Sequence, residues 1–229
     1  MAAFWSLVAD SRGGRVSGSD DVVHIDAGAS NQVLNRTVPL RPGLDPGELA
    51  EQTHAHFAGG PGGAYGVFEP STSRELESHG FAFVATLPQM SLARPTAPTL
   101  PVRRAQDLED VAAAEELIRG SFTFAPWDDS SYLHALLTDP RAHVVLADVD
   151  GAPAATAVGF NDAGVTGVYL VGTRAEARGR GLGEAVTAAA GAVSDGQPAV
   201  LQASAMGAPV YSRMGYETFS AVTVWMANR

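Results

Sequence analysis

The stretch Val165-Thr-Gly-Val-Tyr-Leu-Val-Gly-Thr173 runs directly into Arg174-Ala-Glu-Ala-Arg-Gly-Arg-Gly-Leu-Gly183, and then into Glu184-Ala-Val-Thr-Ala-Ala-Ala-Gly-Ala-Val193. The first segment is apolar and rich in β-branched residues, which predicts a β-strand. The last segment is rich in alanine, which predicts a helix. The segment between them carries two arginines and has glycine at every second position from residue 179. The sequence therefore predicts a strand, a glycine-rich loop and a helix in direct succession.

A loop of this kind predicts a binding site for a phosphate or a pyrophosphate. The first N–H groups of a helix lack intrahelical partners, and the helix dipole places partial positive charge there. Glycine lets the backbone approach an anion closely, and Arg178 and Arg180 can add charge-assisted hydrogen bonds. The chain contains no lysine for a P-loop, and its loop glycines are spaced G-x-G-x-G rather than G-x-G-x-x-G. The alternative interpretation is a glycine-rich turn with solvated arginines.

Arg178, Gly181 and Gly183 fit the pattern R-x-x-G-x-G. With the strand before it and the helix after it, the segment resembles the central motif of the GNAT superfamily of acyl-CoA-dependent N-acyltransferases. The resemblance implies that the loop amides hold the pyrophosphate of acetyl-CoA, and that the backbone at the end of the strand contacts pantetheine or the acyl group. The cofactor-binding residues implied in this way are Val171, Gly172, Thr173, Arg178, Gly179, Arg180, Gly181, Leu182, Gly183, Ser204 and Tyr211.

A second segment, residues 202–216, resembles the closing motif of the same superfamily, in which a tyrosine stands four residues before a Gly-aromatic pair. Tyr211 and the pair Gly215-Tyr216 keep that spacing. The resemblance implies that the Tyr211 hydroxyl is catalytic and protonates the departing CoA thiolate. The alternative is that its ring only packs on pantetheine. Relatives often carry an asparagine where Ala205 stands, and Ser204 beside it is the candidate replacement.

The sequence identifies no catalytic base and no metal site. Relatives often place a glutamate on the strand that precedes the loop, but Val165–Thr173 contains none. His54 and His56 form H-x-H, but residues two apart on a helix face different sides, and the chain has no cysteine. Four other titratable residues are more simply solvated or capping residues than bases: Asp128, Asp129, His134 and Glu176.

The order of predicted elements from residue 102 to residue 229 is β-α-α-β-β-β-α-β-α-β-β, which matches the GNAT fold. The resemblance implies an α/β (α+β) fold with a central mixed sheet flanked by helices. In it, the strand Val165–Thr173 and the strand Ala199–Ala203 splay apart, and pantetheine lies in the gap. The proline-rich segment Ala93–Pro101 predicts a linker. The predicted organisation is a first domain at 1–94, a linker at 95–101 and a catalytic domain at 102–229.

The first half of the chain carries traces of the same pattern. Ser78–Met90 parallels Arg213–Met226, so the sequence predicts tandem GNAT-like folds. In place of the glycine-rich loop, Pro39–Pro46 has three prolines, which lack the N–H that a phosphate cradle needs. We therefore expect a degenerate domain that has lost CoA binding and that walls one side of the acceptor cleft.

The composition of the chain argues against several classes of partner. The formal net charge of −10 argues against nucleic acid or an anionic membrane as a partner. No apolar run reaches the roughly 20 residues of a membrane span, and no signal peptide is apparent, so we expect a cytoplasmic protein. The resemblance to the GNAT superfamily implies transfer of an acetyl group from acetyl-CoA to an amine of a small molecule or peptide by direct attack. The alternative, of a different class, is a non-catalytic acyl-CoA-binding or sensing protein. Oligomeric state stays open, a homodimer included.

Overall fold

The computed structural model describes residues 1–60, 63–70, 75–122 and 131–228. Asp128 and Asp129, two of the titratable candidates, lie outside the described residues. The helices are α1 Ala2–Ser11, α2 Pro46–Phe57, α3 Leu108–Ser121, α4 Leu182–Gly191 and α5 Ala208–Arg213. The strands are β1 Arg15–Gly18, β2 Val22–Asp26, β3 Arg36–Pro39, β4 Ala64–Glu69, β5 Ala82–Leu92, β6 Arg103–Arg104, β7 Ala142–Val149, β8 Ala152–Asp162, β9 Val165–Thr173, β10 Ala199–Gln202 and β11 Glu217–Asn228.

The described chain divides into two compact units, one with residues 1–88 and 220–228, the other with residues 89–122 and 131–219. These bounds differ from the predicted 1–94, 95–101 and 102–229. Segment 95–101 belongs to the second unit, where Leu100 packs against the core. The last nine described residues belong to the first unit. Among the described residues, no helix is both long enough and apolar enough to cross a membrane.

In the first unit, β1, β2 and β3 pair antiparallel, and β3 then pairs parallel with β4. Helix α2 lies between β3 and β4 in the chain and begins where the Asp45 carboxylate accepts a hydrogen bond from the Glu48 N–H at 2.9 Å. The C-terminal strand β11 pairs antiparallel with β4, from Thr223↔Glu69 to Asn228↔Ala64. The core of this unit includes the buried rings of Phe57, Tyr65 and Trp225.

In the second unit the strand order is β5-β10-β9-β8-β7-β6. β9 and β10 pair parallel, and the other neighbours pair antiparallel. Helix α3 packs on β8 and β9, while α4 packs on β7, β8 and β9. The arrangement confirms the predicted α/β fold with a mixed sheet flanked by helices.

Each unit completes its sheet with a strand from the other half of the sequence. β10 pairs with residues 89–92 of β5, and β4 pairs with residues 223–228 of β11. The predicted bounds differ from those of the structure because they assume that every strand pairs within its own half of the chain.

The parallel ladder between β9 and β10 ends early. Its last pair is Leu201↔Val168, although β9 continues to Thr173. Beyond that pair, β9 carries a bulge opposite β8, between the pairs Val158↔Tyr169 and Thr156↔Gly172. Leu170 lies in the bulge with a φ of 53°, a conformation that bulky residues rarely adopt. β10 itself ends at Gln202, so no ladder pair joins the last five residues of β9 to β10, and the splay of the two strands stays a prediction.

Candidate functional site

The glycine-rich loop follows β9 and leads into α4. A short 3₁₀ turn at Ala175–Ala177 comes first, and Arg178 is extended. Gly179 and Gly181 have φ values of 75° and 77°, which cost other residues about 1–2 kcal/mol. Gly181 is the N-cap of α4 and offers no side-chain cap; the first helical bond runs from the Ala185 N–H to the Gly181 carbonyl at 3.0 Å. The N–H groups of the first turn of α4 therefore form a site suited to an anion.

The two loop arginines are exposed, and neither forms a salt bridge within the part of the chain that the structure describes. Arg178 donates from Nε to the Thr173 carbonyl at 3.2 Å, so its guanidinium is anchored at the end of β9. A Cβ added at Gly183 would lie 3.4 Å from Thr173 Oγ1. The structure thus brings together three of the predicted residues from the strand, the loop and the helix: Thr173, Arg178 and Gly183.

The end of β9 is held by the C-terminus of α3. The Thr173 N–H donates to Ser121 Oγ at 3.1 Å, so this amide, which we expected to contact pantetheine, already has a partner. A Cβ at Gly172 would lie 3.0 Å from both the Leu117 carbonyl oxygen and Ser121 Oγ, so only glycine fits there without a shift. Sequence reasoning missed Ser121, because a serine at the end of a helix carries no motif.

Tyr211 lies on α5, with its side chain buried in the core of the second unit. Burial raises the pKa of its hydroxyl to about 12, although the neighbouring Thr187 side chain on α4 lowers this pKa in part. Thr187 Oγ1 is itself buried and has no partner at good hydrogen-bond geometry. The Tyr216 ring lies 6.0 Å from the Tyr211 ring, centroid to centroid. Because of its pKa, the Tyr211 hydroxyl stays protonated, and can donate, at any physiological pH.

Ser204 stands at the start of α5, where it closes a turn. Its Oγ accepts a hydrogen bond from the Gly207 N–H at 3.1 Å, and its carbonyl accepts one from the Ala208 N–H at 2.9 Å. The side chain is exposed, and its O–H remains a donor. The structure therefore gives Ser204 a role in the helix turn, which leaves its predicted contact with CoA a prediction.

The other titratable candidates have ordinary surroundings. Glu176 is exposed and pairs with Arg174 at 3.5 Å, and His134 is exposed in a 3₁₀ turn. Among the described residues, no three histidine, aspartate or glutamate side chains cluster in a way that could hold a metal ion. Leu100, which sequence reasoning placed in a linker, lies beside the loop: its Cδ1 is 3.5 Å from the position of a Cβ at Gly181.

Comparison with solved structures decides the fold family. A GCN5-related N-acetyltransferase from Kribbella flavida superposes with a TM-score of 0.71 at 25% identity, covering 99% of this chain and 93% of that one. A second solved structure is an acetyltransferase from the GNAT family of Novosphingobium aromaticivorans. It superposes with a TM-score of 0.62 at 19% identity, covering 97% of this chain and 94% of that one. This chain has the GNAT fold. A tandem GNAT protein from the clavulanic acid pathway shares the fold at a TM-score of 0.52 and 12% identity, over 84% of this chain and 75% of that one.

Comparison of sequences adds one curated relative. A Bacillus subtilis (strain 168) protein, which bears the name of a ribosomal protein bS18-alanine N-acetyltransferase, is 35% identical over 80 residues. The match covers 34% of this chain and spans about half the length of that relative. No protein-family model matches the chain.

Proposed function

We propose that this protein is an N-acetyltransferase that moves an acetyl group from acetyl-CoA to an amine of a small molecule or peptide. One observation carries the proposal: the uncapped N-terminus of α4 follows β9 through a loop with two left-handed glycines, and the ladder between β9 and β10 ends at Val168, before β9 ends at Thr173. A diphosphate fits the first feature, and an extended arm fits the second. The shared fold with N-acetyltransferases supports the same function.

The residues present suit acetyl-CoA as the substrate. The amides of residues 179–183 would hold the pyrophosphate, and Arg178 and Arg180 would add positive charge from the exposed loop. Val171 and Gly172 would border the pantetheine arm, beyond the last ladder pair between β9 and β10. Bound acetyl-CoA supplies a thioester carbonyl that a neutral amine can attack.

Tyr211 is the residue of this chain that we propose as the proton donor to the leaving sulfur. Its raised pKa keeps the hydroxyl protonated, and burial keeps water from competing for it. A donor placed at the leaving atom contributes through charge that develops only as the bond breaks. The chain's acidic balance suits a cationic amine as acceptor, although net charge identifies no particular amine.

The test compares two glycine substitutions with matched backbone strain. Gly181→Ala and Gly196→Ala place alanine at φ values of 77° and 74°, and both positions lack close obstacles; the nearest atom at Gly181 is 3.5 Å away. Gly181 opens α4, while Gly196 follows its far end, about 15 Å away for a ten-residue helix. Both variants should lose about 1–2 kcal/mol of stability. Only Gly181→Ala should weaken acetyl-CoA binding, by tenfold or more, in calorimetry.

Activity is measured in parallel as CoA release with a panel of amines and amino-terminal peptides. Amine-dependent release by the wild-type protein that is reduced in Gly181→Ala supports the enzyme. Binding of acetyl-CoA without release for any amine supports the non-catalytic binder instead. Equal acetyl-CoA affinity in the two glycine variants would refute the assignment of the loop.

A further inference from the structure

A cavity of about 550 Å³ lies in the second unit, outside the residues predicted to bind the cofactor. The C-terminal half of α3 forms one wall, with Glu116, Leu117 and Arg119. Pro153 at the start of β8 and the turn at residues 174–176 form the other. Its volume falls in the range of about 300–1,000 Å³ that is typical of small-molecule sites.

One pair of charges in the wall is already satisfied. Arg174 pairs from Nε with Glu176 Oε1 at 3.5 Å, and its Nη2 donates to the Pro153 carbonyl. Because Arg174 already makes this ion pair and this hydrogen bond, it contributes little to ligand binding on that side of the cavity. The Glu176 carboxylate also lies in this wall of the cavity, where it would repel a doubly charged anion.

The opposite wall carries two charges that do not compensate each other. Arg119 Nη1 is buried and has no hydrogen-bond partner among the residues that the structure describes. Glu116 lies three residues earlier on α3, where side chains of a helix are neighbours, yet no salt bridge within the described chain joins the two. A guanidinium with a buried, unpartnered nitrogen and an exposed carboxylate therefore line the same cavity without pairing with each other.

We propose that this cavity binds a small zwitterion of the free amino-acid class, with its carboxylate on Arg119 and its ammonium group on Glu116. A guanidinium binds a carboxylate through two parallel charge-assisted hydrogen bonds, and a carboxylate accepts from an ammonium group. Because Arg119 Nη1 is enclosed in the ligand-free protein, its guanidinium turns toward the cavity when the carboxylate binds. Phosphate suits the site poorly, since it offers Glu116 and Glu176 only further negative charge. The inference does not depend on acetyl transfer.

The test is calorimetry on the full chain with L-alanine as the zwitterion, acetate as the carboxylate alone, ethylamine as the amine alone, and inorganic phosphate. We expect L-alanine to bind at least tenfold more tightly than each of the other three. Arg119→Gln should lower its affinity at least tenfold, and Arg119→Lys should lower it less, because the charge stays. Arg141→Gln is the matched control: Arg141 pairs with Asp139 at 2.7 Å and is not part of the cavity wall, so its loss should leave affinity unchanged.

Glu116→Gln is the second variant, because Glu116 is exposed and its substitution leaves the core intact. It should weaken L-alanine and leave acetate unchanged, an outcome that a merely structural role would not produce. The proposal is overturned if L-alanine shows no binding up to about 50 mM, well above the millimolar range. It is equally overturned if phosphate binds more tightly than L-alanine, or if Arg119→Gln and Glu116→Gln, both folded by circular dichroism, bind L-alanine like the wild type.

Discussion

Removing one oxygen atom from Tyr211 separates proton donation from packing. Tyr211→Phe keeps the ring in the core of the second unit and deletes only the hydroxyl. The hydroxyl has Thr187 as a neighbour, but Thr187 Oγ1 has no partner at good geometry, so the substitution breaks no strong hydrogen bond there. We expect the free energy of unfolding to change by no more than about 1 kcal/mol. For a chain of this length the melting temperature would then shift by about 2–4 °C or less.

The kinetic effect should be much larger than the effect on stability. A positioned general acid contributes about 10²–10⁴-fold, and a thiolate is a good leaving group, so the lower end of that range applies. A hundredfold fall in turnover number corresponds to about 2.7 kcal/mol in the activation free energy. If the hydroxyl acts only as the bond breaks, the KM for acetyl-CoA should change little. Because burial raises the pKa of Tyr211 to about 12, deprotonation of its hydroxyl should not limit turnover below about pH 11.

The assay is steady-state kinetics over a range of acetyl-CoA, with the amine that releases the most CoA. Tyr216→Phe is the matched control, because Tyr216 is also a buried tyrosine and its ring lies 6.0 Å away. A turnover number that falls in Tyr211→Phe and not in Tyr216→Phe supports donation. Equal turnover numbers in Tyr211→Phe and the wild type would reduce Tyr211 to a packing residue, and a parallel fall in both variants would indicate a general loss of packing.

Two further predictions concern stability. Burial of His24, reinforced by the stacked His56 ring at 5.2 Å, lowers its pKa from 6.5 to about 4. As the pH falls, the unfolded chain therefore takes up the proton on His24 before the folded chain does. The free energy of unfolding, which is at its full value above pH 6.5, should fall between pH 6.5 and pH 4. The pKa shift sets an upper limit of about 3 kcal/mol on this loss, and solvent screening reduces it to about 2 kcal/mol. Urea midpoints at pH 7 and pH 4.5 should show a smaller difference in His24→Gln, and an unchanged difference would contradict the assignment. Gly172→Ala places a methyl group 3.0 Å from the Leu117 carbonyl and should lower the free energy of unfolding by about 1–3 kcal/mol. Gly120→Ala is the control, because the added methyl group meets no atom within 4 Å and should cause no loss of stability. Equal melting temperatures of the two variants would refute the close contact at Gly172.

The candidate anion site could be predicted because its parts are consecutive in the chain. The apolar run predicts the strand at 165–173, and the structure has β9 over the same residues. The loop glycines at 179 and 181 adopt the left-handed conformations that make glycine necessary there. Local pattern, turn chemistry and helix propensity all act over a few residues, so each can be read without knowledge of the rest of the fold.

The contacts that hold the site in place could not be predicted in the same way. Ser121 bonds the Thr173 N–H across 52 residues of sequence, and Thr187 meets Tyr211 across two helices. Leu100 lies beside Gly181 although the prolines around it indicate a linker. Each contact depends on packing between elements, and a serine, a threonine or a leucine carries no local signal of its distant neighbour.

The pairing of β5 with β10 and of β11 with β4 is the largest difference between the predicted and the observed organisation, and it affects the candidate site. The alternation of apolar residues indicates that β5 and β11 exist, but not which strands they join, because backbone hydrogen bonds do not distinguish one apolar neighbour from another. Residues 89–92 pair with β10 antiparallel, from Ala199↔Leu92 to Gln202↔Gln89. β10 is also the neighbour of β9 in the sheet, so one border of the gap that we propose for pantetheine is fixed by residues that the predicted bounds assign to the first domain. The site therefore depends on a segment of the first half of the chain, and the Kribbella flavida structure aligns with 99% of this chain, both halves included.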